Sequence, residues 1–254
     1  MLTIRSAQLS ALEQGTLADC ARRLVKHLAE AFPKQARLLG KPGMQKVVEL
    51  GMTRAAGHGL EEERDLFLYL TLMMMLGSWF DEDPQLAWAG KRLGDQRIQD
   101  PADRLDKLHD VAMQYLDRIA GENNELLVKA LIRVRDFDPS KAESIPAAEL
   151  EPGLVAMLSP LYPQKAQEQG EAGMRAVARH GVELAGQYSA GGNQAACLFA
   201  GLAFMLGWGF DHDPQFPWVC EALGEDGKKG DLGLLHRGAM TYLKHGLEPD
   251  VHSD

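Results

Sequence analysis

The feature that most constrains this chain is an apolar run that occurs twice and closes each time on the same turn. Leu66 to Pro84 reads LFLYLTLMMMLGSWFDEDP, and Ala196 to Pro214, 130 residues further on, reads ACLFAGLAFMLGWGFDHDP. Both end on a glycine, aromatic residues and the motif Phe-Asp-x-Asp-Pro-Gln. A helix that is apolar on every side has no solvent face, so it belongs in the middle of a bundle or in a membrane. The runs are about 15 and 16 residues long, short of the roughly 20 a bilayer needs and too long for a buried strand of about 4–8. They read as two buried central helices, the first covering Leu66–Phe80. The Met73-Met74-Met75 triplet reads as filler in an irregular core, in preference to an adaptable binding groove.

The likeness extends well beyond the runs. Positions 24–94 align with 154–224 without a gap, and about a third of the residues are identical, which marks a duplicated unit. Pro33 matches Pro163, Gly43-Met44 matches Gly173-Met174, Gly51 matches Gly181, and Trp88 matches Trp218. After a three-residue deletion, His109 and Tyr115 find His236 and Tyr242. Two copies make a duplication and not a solenoid. The expected fold is all-α: a helical bundle of two pseudo-twofold-related repeats, each around one buried apolar central helix. Residues 1–137 form the first repeat, 138–147 connect, and 148–254 form the second, packed as one unit.

Local punctuation places the other helices. Ser6 caps a first helix that runs to Phe32 and stops at Pro33, which cannot continue the hydrogen-bond ladder. A polar link with Gly40, Pro42 and Gly43 leads to a helix over Met44–Ala56, ended by Gly57-His58-Gly59. Further helices are expected over Gln85–Leu93, from Asp100-Pro101 with Leu105, Leu108, Ala112, Tyr115 and Ile119 on one face, and over Glu122–Arg135. The segment 136–146 is polar and bounded by prolines, as a connection would be.

The Asp-x-Asp-Pro turns admit two readings. Asp before Pro at a helix start is a favoured cap, which suits Asp83-Pro84, Asp213-Pro214 and Asp100-Pro101. Asp81 and Asp211 can bind the turn backbone, while Phe80 and Phe210 plug the loop into the core. Alternatively, the paired carboxylates bind a metal or act as an acid–base pair. A calcium loop would need Gly at its sixth position and Glu at its twelfth, where Leu86 and Arg92 stand. Both copies keep the motif, and one chain seldom needs a catalytic site twice, so capping is the preferred reading.

Other chemistry finds no support in the residues. The eight histidines form no H-E-x-x-H; His212, between Asp211 and Asp213, reads as a solvated turn residue. Gly224–Gly230 lacks phosphate-loop spacing, and no G-x-S-x-G elbow is present. Cys20, Cys197 and Cys220 form no metal or disulfide pattern and read as buried free thiols. Neither cofactor nor metal is expected, and the chain does not read as an enzyme. Its formal charge of −9 argues against binding nucleic acid, which needs a basic surface. The first residues lack a signal-peptide pattern, and no membrane segment is expected, so the expected location is the cytoplasm.

What remains is local acidity, at Glu61-Glu62-Glu63-x-Asp65, Asp81-Glu82-Asp83, Asp100/Asp103/Asp106/Asp110 and Glu221/Glu225/Asp226. These are solvated helix starts, or they steer a basic protein partner. In the second case the candidate partner-binding residues are Glu61, Glu62, Asp65, Asp81, Glu82, Asp83, Asp211, His212, Asp213, Glu225 and Asp226.

Three stretches together carry a family resemblance: L-T-I-R-x-x-Q-L-x-A-L at Leu2–Leu12, L-x-x-x-F-P at Leu28–Pro33, and M-x-x-L-G-x-x-F-D-x-D-P at Met73–Pro84, the last echoed at Met205–Pro214. The chain resembles small acidic helical proteins linked to bacterial type VI secretion effectors. The resemblance implies an immunity protein that binds and neutralises a cognate toxin, nuclease-type, in the producing cell. An effector-loading adaptor or chaperone is the alternative within the same system, and a metal-dependent enzyme at the Asp-x-Asp-Pro turns is the alternative outside it.

Overall fold

Proline and glycine divide the chain into helices, and the computed structural model shows how they pack. It describes residues 6–224 and 230–247. Among these there is no strand, and the α-helices are α1 (Ser6–Ala31), α2 (Pro33–Gly57), α3 (Glu63–Leu76), α4 (Ala87–Leu93), α5 (Pro101–Ala120), α6 (Glu125–Arg135), α7 (Leu150–Leu158), α8 (Pro163–Gln187), α9 (Asn193–Leu206), α10 (Pro217–Leu223) and α11 (Leu232–Leu247).

The apolar runs become α3 and α9, both of 14 residues. Helix α3 packs on α1, α2 and α5, and α9 packs on α7, α8 and α11. Tyr69, Leu70, Leu72 and Met73 on α3, and Phe199, Ala200 and Phe204 on α9, are essentially inaccessible. The core does not divide at the connecting segment. Leu158, Leu161, Tyr162, Met174 and Phe204 join the cluster built around α3, and Phe137 packs against both clusters.

Four expectations need correcting. The first central helix ends at Leu76 and not at Phe80, because Gly77 adopts φ 98°, a region side chains avoid; Ser78, Trp79 and Phe80 then fold back as a turn. The link at 40–43 is no loop but a single-residue break at Gly40 (φ 60°) inside α2, and α8 breaks likewise at Gly170 (φ 65°). The segment 136–146 is more than a polar connection. It forms a 3₁₀ turn, Pro139–Ser144, whose Ala142 is fully buried. From it Glu143 Oε1 accepts the Gln194 N–H at 2.8 Å, and the Ile145 carbonyl accepts Asn193 Nδ2 at 2.8 Å. A carboxylate there satisfies a free N–H at the start of buried α9 and suits its dipole. The thiols also differ from expectation, since only Cys197 is buried; Cys20 is half-buried and Cys220 exposed.

Helices α8 and α9 approach so closely that a Cβ on Gly181 would lie 2.5 Å from the Ala196 carbonyl and 2.6 Å from the Ala200 nitrogen. At Gly51 the equivalent atom would meet only side chains, Leu70 Cδ2 and Met73 Sδ. Gly181→Ala is therefore expected to destabilise the chain by about 1–3 kcal/mol through overpacking, partly offset by the better helix propensity of alanine. Gly51→Ala should cost less, because side chains can turn aside and backbone cannot. Chemical denaturation of the two variants checks the order.

Candidate functional site: the paired carboxylate turns

Asp83 caps the 3₁₀ turn Pro84–Leu86 as expected, whereas Asp213-Pro214 opens only a tight turn and no helix. Helix α10 begins instead at Pro217, with Phe216 in the capping position. Both aspartates then reach across to the other half of the chain. Asp83 Oδ1 accepts the Gln85 N–H at 2.8 Å, the cap expected from the sequence. Its Oδ2 accepts the backbone N–H of Trp208 at 3.0 Å. Asp213 does the same in return: Oδ1 accepts the Gln215 N–H at 2.9 Å, and Oδ2 accepts the Ser78 N–H at 2.8 Å, with the Ser78 hydroxyl donating to Oδ1 at 2.7 Å. The glutamines cross as well. Gln85 Nε2 donates to the Ala203 carbonyl and Gln215 Nε2 to the Met73 carbonyl, each at 2.9 Å. These carbonyls lie in the last turns of α9 and α3, and each also accepts the N–H of the glycine that ends its helix, Gly207 at 3.0 Å and Gly77 at 2.9 Å. Between the turns the chains touch at Gly77 and Gly207, whose Cα atom lies 3.8 Å from where a Gly77 Cβ would be.

The outer aspartates serve local networks. Asp81 accepts from Arg54, from His58 Nε2 at 2.7 Å and from the Tyr69 hydroxyl at 2.9 Å. Arg54 also donates to Glu82 at 2.9 Å and lies 5.3 Å from the centre of the Trp79 ring. Leu184 and Tyr188 stand 130 residues on from Arg54 and His58. Asp211 instead accepts the Tyr188 hydroxyl, at 2.8 Å, and His212 Nδ1, at 3.0 Å. Trp79 packs edge-on against His212, ring centres 4.2 Å apart, and Trp208 stacks on His180 at 3.8 Å.

Burial and hydrogen bonding pull these four carboxyls in different directions. For Asp83 and Asp213 burial dominates and pushes the carboxyl above its usual range, against the N–H groups of Gln85, Trp208, Gln215 and Ser78. Burial also raises Asp81 and Asp211, but donors outweigh it, His58 and Arg54 for the first and His212 and Tyr188 for the second, so both lie below the usual range. Lys165 donates to the Phe204 carbonyl at 2.6 Å. Burial pushes its ammonium down to about 8, against the pull of Asp83.

His212 offers a direct test of the outer network. Its hydrogen bond to Asp211 raises its pKa, against the opposing effect of burial. The bond's contribution is thus complete below the unfolded value near 6.5 and is lost as pH rises through the folded pKa. The ring is more than half exposed, so the effect on stability is small and screened. An NMR titration is expected to place the His212 midpoint above about 6.5, and Asp211→Asn should bring it back down. A midpoint that ignores Asp211→Asn would contradict the assignment.

The candidate partner-binding residues therefore separate. Asp65, Asp81, Asp83, Asp211 and Asp213 have side chains at most 8 % exposed, and in this conformation they do not face a partner. Glu61 and Glu62 are exposed, as are the side chains of Glu82 and His212. Glu225 and Asp226 lie outside the described residues. The structure brings Asp81, Glu82 and Arg54 together, with His212 nearby across the Trp79 ring. Arg54 and His58 had not been singled out in the sequence, though their place one turn apart before a glycine stop was visible. Among the described residues no three His, Cys, Asp or Glu side chains gather as a metal site, and no helix is long and apolar enough to cross a membrane.

No protein-family model matches this chain, and no curated protein and no solved structure is similar to it.

Proposed function

We propose that this chain is a cytoplasmic immunity protein. In this reading it binds and neutralises a nuclease-type toxin of a type VI secretion system in the producing cell, and it arose by duplication of one helical unit with pseudo-twofold symmetry. The observation that carries the binding role is the use made of the motif carboxylates. Asp83 and Asp213 already accept two or more donors each, from both halves of the chain, and those donors would have to be abandoned for a metal or substrate. The repeated turns thus act as a clasp, and function falls to the surface. Glu61, Glu62 and Glu82 lie on that surface, in a chain of net charge −9. Such groups speed encounter with a basic partner more than they hold it, and a nucleic-acid-cutting toxin presents basic surface. The reciprocal contacts of Asp83 and Asp213 support the duplication, since every partner in one set stands 130 residues from its counterpart in the other.

The test is co-expression with the toxin gene encoded beside this one. Growth rescue with a stable co-purifying complex is expected. Replacing Glu61, Glu62 and Glu82 with lysine should slow association by about tenfold or more at low salt, the scale of electrostatic steering. Co-purification without rescue would make the chain a loading adaptor instead, and the absence of both rescue and co-purification would overturn the proposal.

A further inference from the structure

Beside the clasp, residues of α3, α5, α8, α9 and α11 meet around a cavity of about 180 Å³. Met75, Leu86, Ile119 and Phe216 give it apolar walls, and Asp83, Tyr115 and Lys165 line it too. An apolar cavity of roughly 150 Å³ holds a benzene ring, so this one has the size for a small ring or short alkyl chain with a polar head. It shares Leu127, Tyr162, Met205 and Tyr242 with a wider groove beside α6, which gives a ligand its approach.

Two observations define the polar head. Tyr115 is 2 % exposed, and its hydroxyl has no hydrogen-bond partner among the described residues. A buried hydroxyl left so is costly and calls for an acceptor. Lys165 gives one hydrogen to the Phe204 carbonyl at 2.6 Å, but an ammonium carries three, and among the described residues no carboxylate pairs with it. Asp83 does not meet either need. Its Oδ1 accepts the Gln85 N–H, and its Oδ2 accepts Gln85 Nε2 at 3.1 Å and the Trp208 N–H at 3.0 Å. With those positions taken, Asp83 has little to offer a cationic ligand. The Tyr162 hydroxyl is likewise committed, to the Ile119 carbonyl at 2.9 Å. What the cavity wall leaves over is two donors, and both call for an oxygen.

We propose that this cavity binds a small organic carboxylate with an apolar body, its oxygens accepting from Lys165 and the Tyr115 hydroxyl and its body resting on Met75, Ile119 and Phe216. Small-ligand sites fix orientation in this way, with a few placed polar groups in an apolar surround. Bonds between an ammonium and a carboxylate are about twice as strong as neutral ones, and the low dielectric of the interior strengthens them further. Asp83 belongs both to the cavity wall and to the clasp, so an occupant braces the junction of the two halves. The proposal stands apart from the toxin-binding role, which concerns the acidic outer surface.

The test uses the full chain and three probes of similar shape, benzoate, benzyl alcohol and benzylamine, titrated at neutral pH by calorimetry. Benzoate should bind at least about tenfold more tightly than either of the others. Tyr115→Phe removes only a hydroxyl that no described residue holds, so the fold should stand while benzoate binding weakens by about fivefold or more. Lys165→Met, similar in length, should erase the preference for benzoate over benzyl alcohol. If Lys165→Met does not fold, Tyr115→Phe decides alone. The proposal is overturned if benzoate does not bind at millimolar concentration, if benzyl alcohol or benzylamine binds as tightly, or if benzoate binding is unchanged in Tyr115→Phe. It is equally overturned if Tyr115→Phe lowers stability while no probe binds, which would make an ordered water the hydroxyl's only partner.

Discussion

Asp213→Ala is expected to destabilise the whole chain by about 2–6 kcal/mol. The aspartate is 1 % exposed, and its loss strands two backbone donors, the N–H groups of Ser78 and Gln215. A buried donor left without a partner costs about 1–3 kcal/mol, which sets the range. The Ser78 hydroxyl also loses its acceptor. Asp100 provides the internal comparison, since it caps α5 through the Ala102 N–H alone and at an exposed site. Asp100→Ala should cost only about 1 kcal/mol, an ordinary capping energy. Urea titration distinguishes them: the midpoint of Asp213→Ala should fall much further than that of Asp100→Ala, with the slope unchanged. Equal shifts would mean that Asp213 merely holds its own turn.

Gly77→Ala is the second large effect. Gly77 has φ 98°, and a Cβ there would lie 2.9 Å from the Leu206 carbonyl oxygen, on the backbone of the other half. The left-handed backbone alone costs a non-glycine residue about 1–3 kcal/mol, and forcing the two backbones apart adds about 1–3 kcal/mol of overpacking. Displacement of Ser78 would also stretch the bonds to Asp213. Gly207→Ala shares the backbone strain at φ 103°, but its Cβ would keep 3.3 Å from the Leu76 oxygen, so it should be the milder change. Thermal unfolding of the two variants tests that order.

Much of this was legible in the sequence, because local rules decide it. Pro33 and the Gly57-His58-Gly59 stop end helices through backbone conformation, with Gly59 at φ 77°, and Asp83 and Asp100 cap elements that begin one residue later. Phe80 and Phe210 are buried as expected, each 1 % exposed. The early end of α3 at Gly77 was not legible, since Trp79 and Phe80 prolong the apolar run that a helix would need. The cross-connections were hidden for a different reason. That Asp213 holds Ser78, 135 residues away, depends on how two helix ends meet, and neither end carries a side-chain pattern that says so. The sequence showed that the motif was repeated, which favours a structural role over a chemical one. It could not show that each copy serves the other. Surface acidity was equally ambiguous: Asp65 and Glu82 belong to similar acidic clusters, yet one is buried beside Arg64 and the other is exposed beside Arg54.

The clasp between the halves is the centre of this account, and native-state hydrogen exchange at two amides tests it most directly. In Asp213→Ala the Ser78 amide should exchange faster, by more than the amides of the α5 core. In Asp83→Ala the same should hold for the Trp208 amide. Each effect appears in the half of the chain that was not altered. Exchange at Ser78 and Trp208 that rises no more than the rest of the molecule would contradict the clasp, and would leave the repeated motif as two independent local turns.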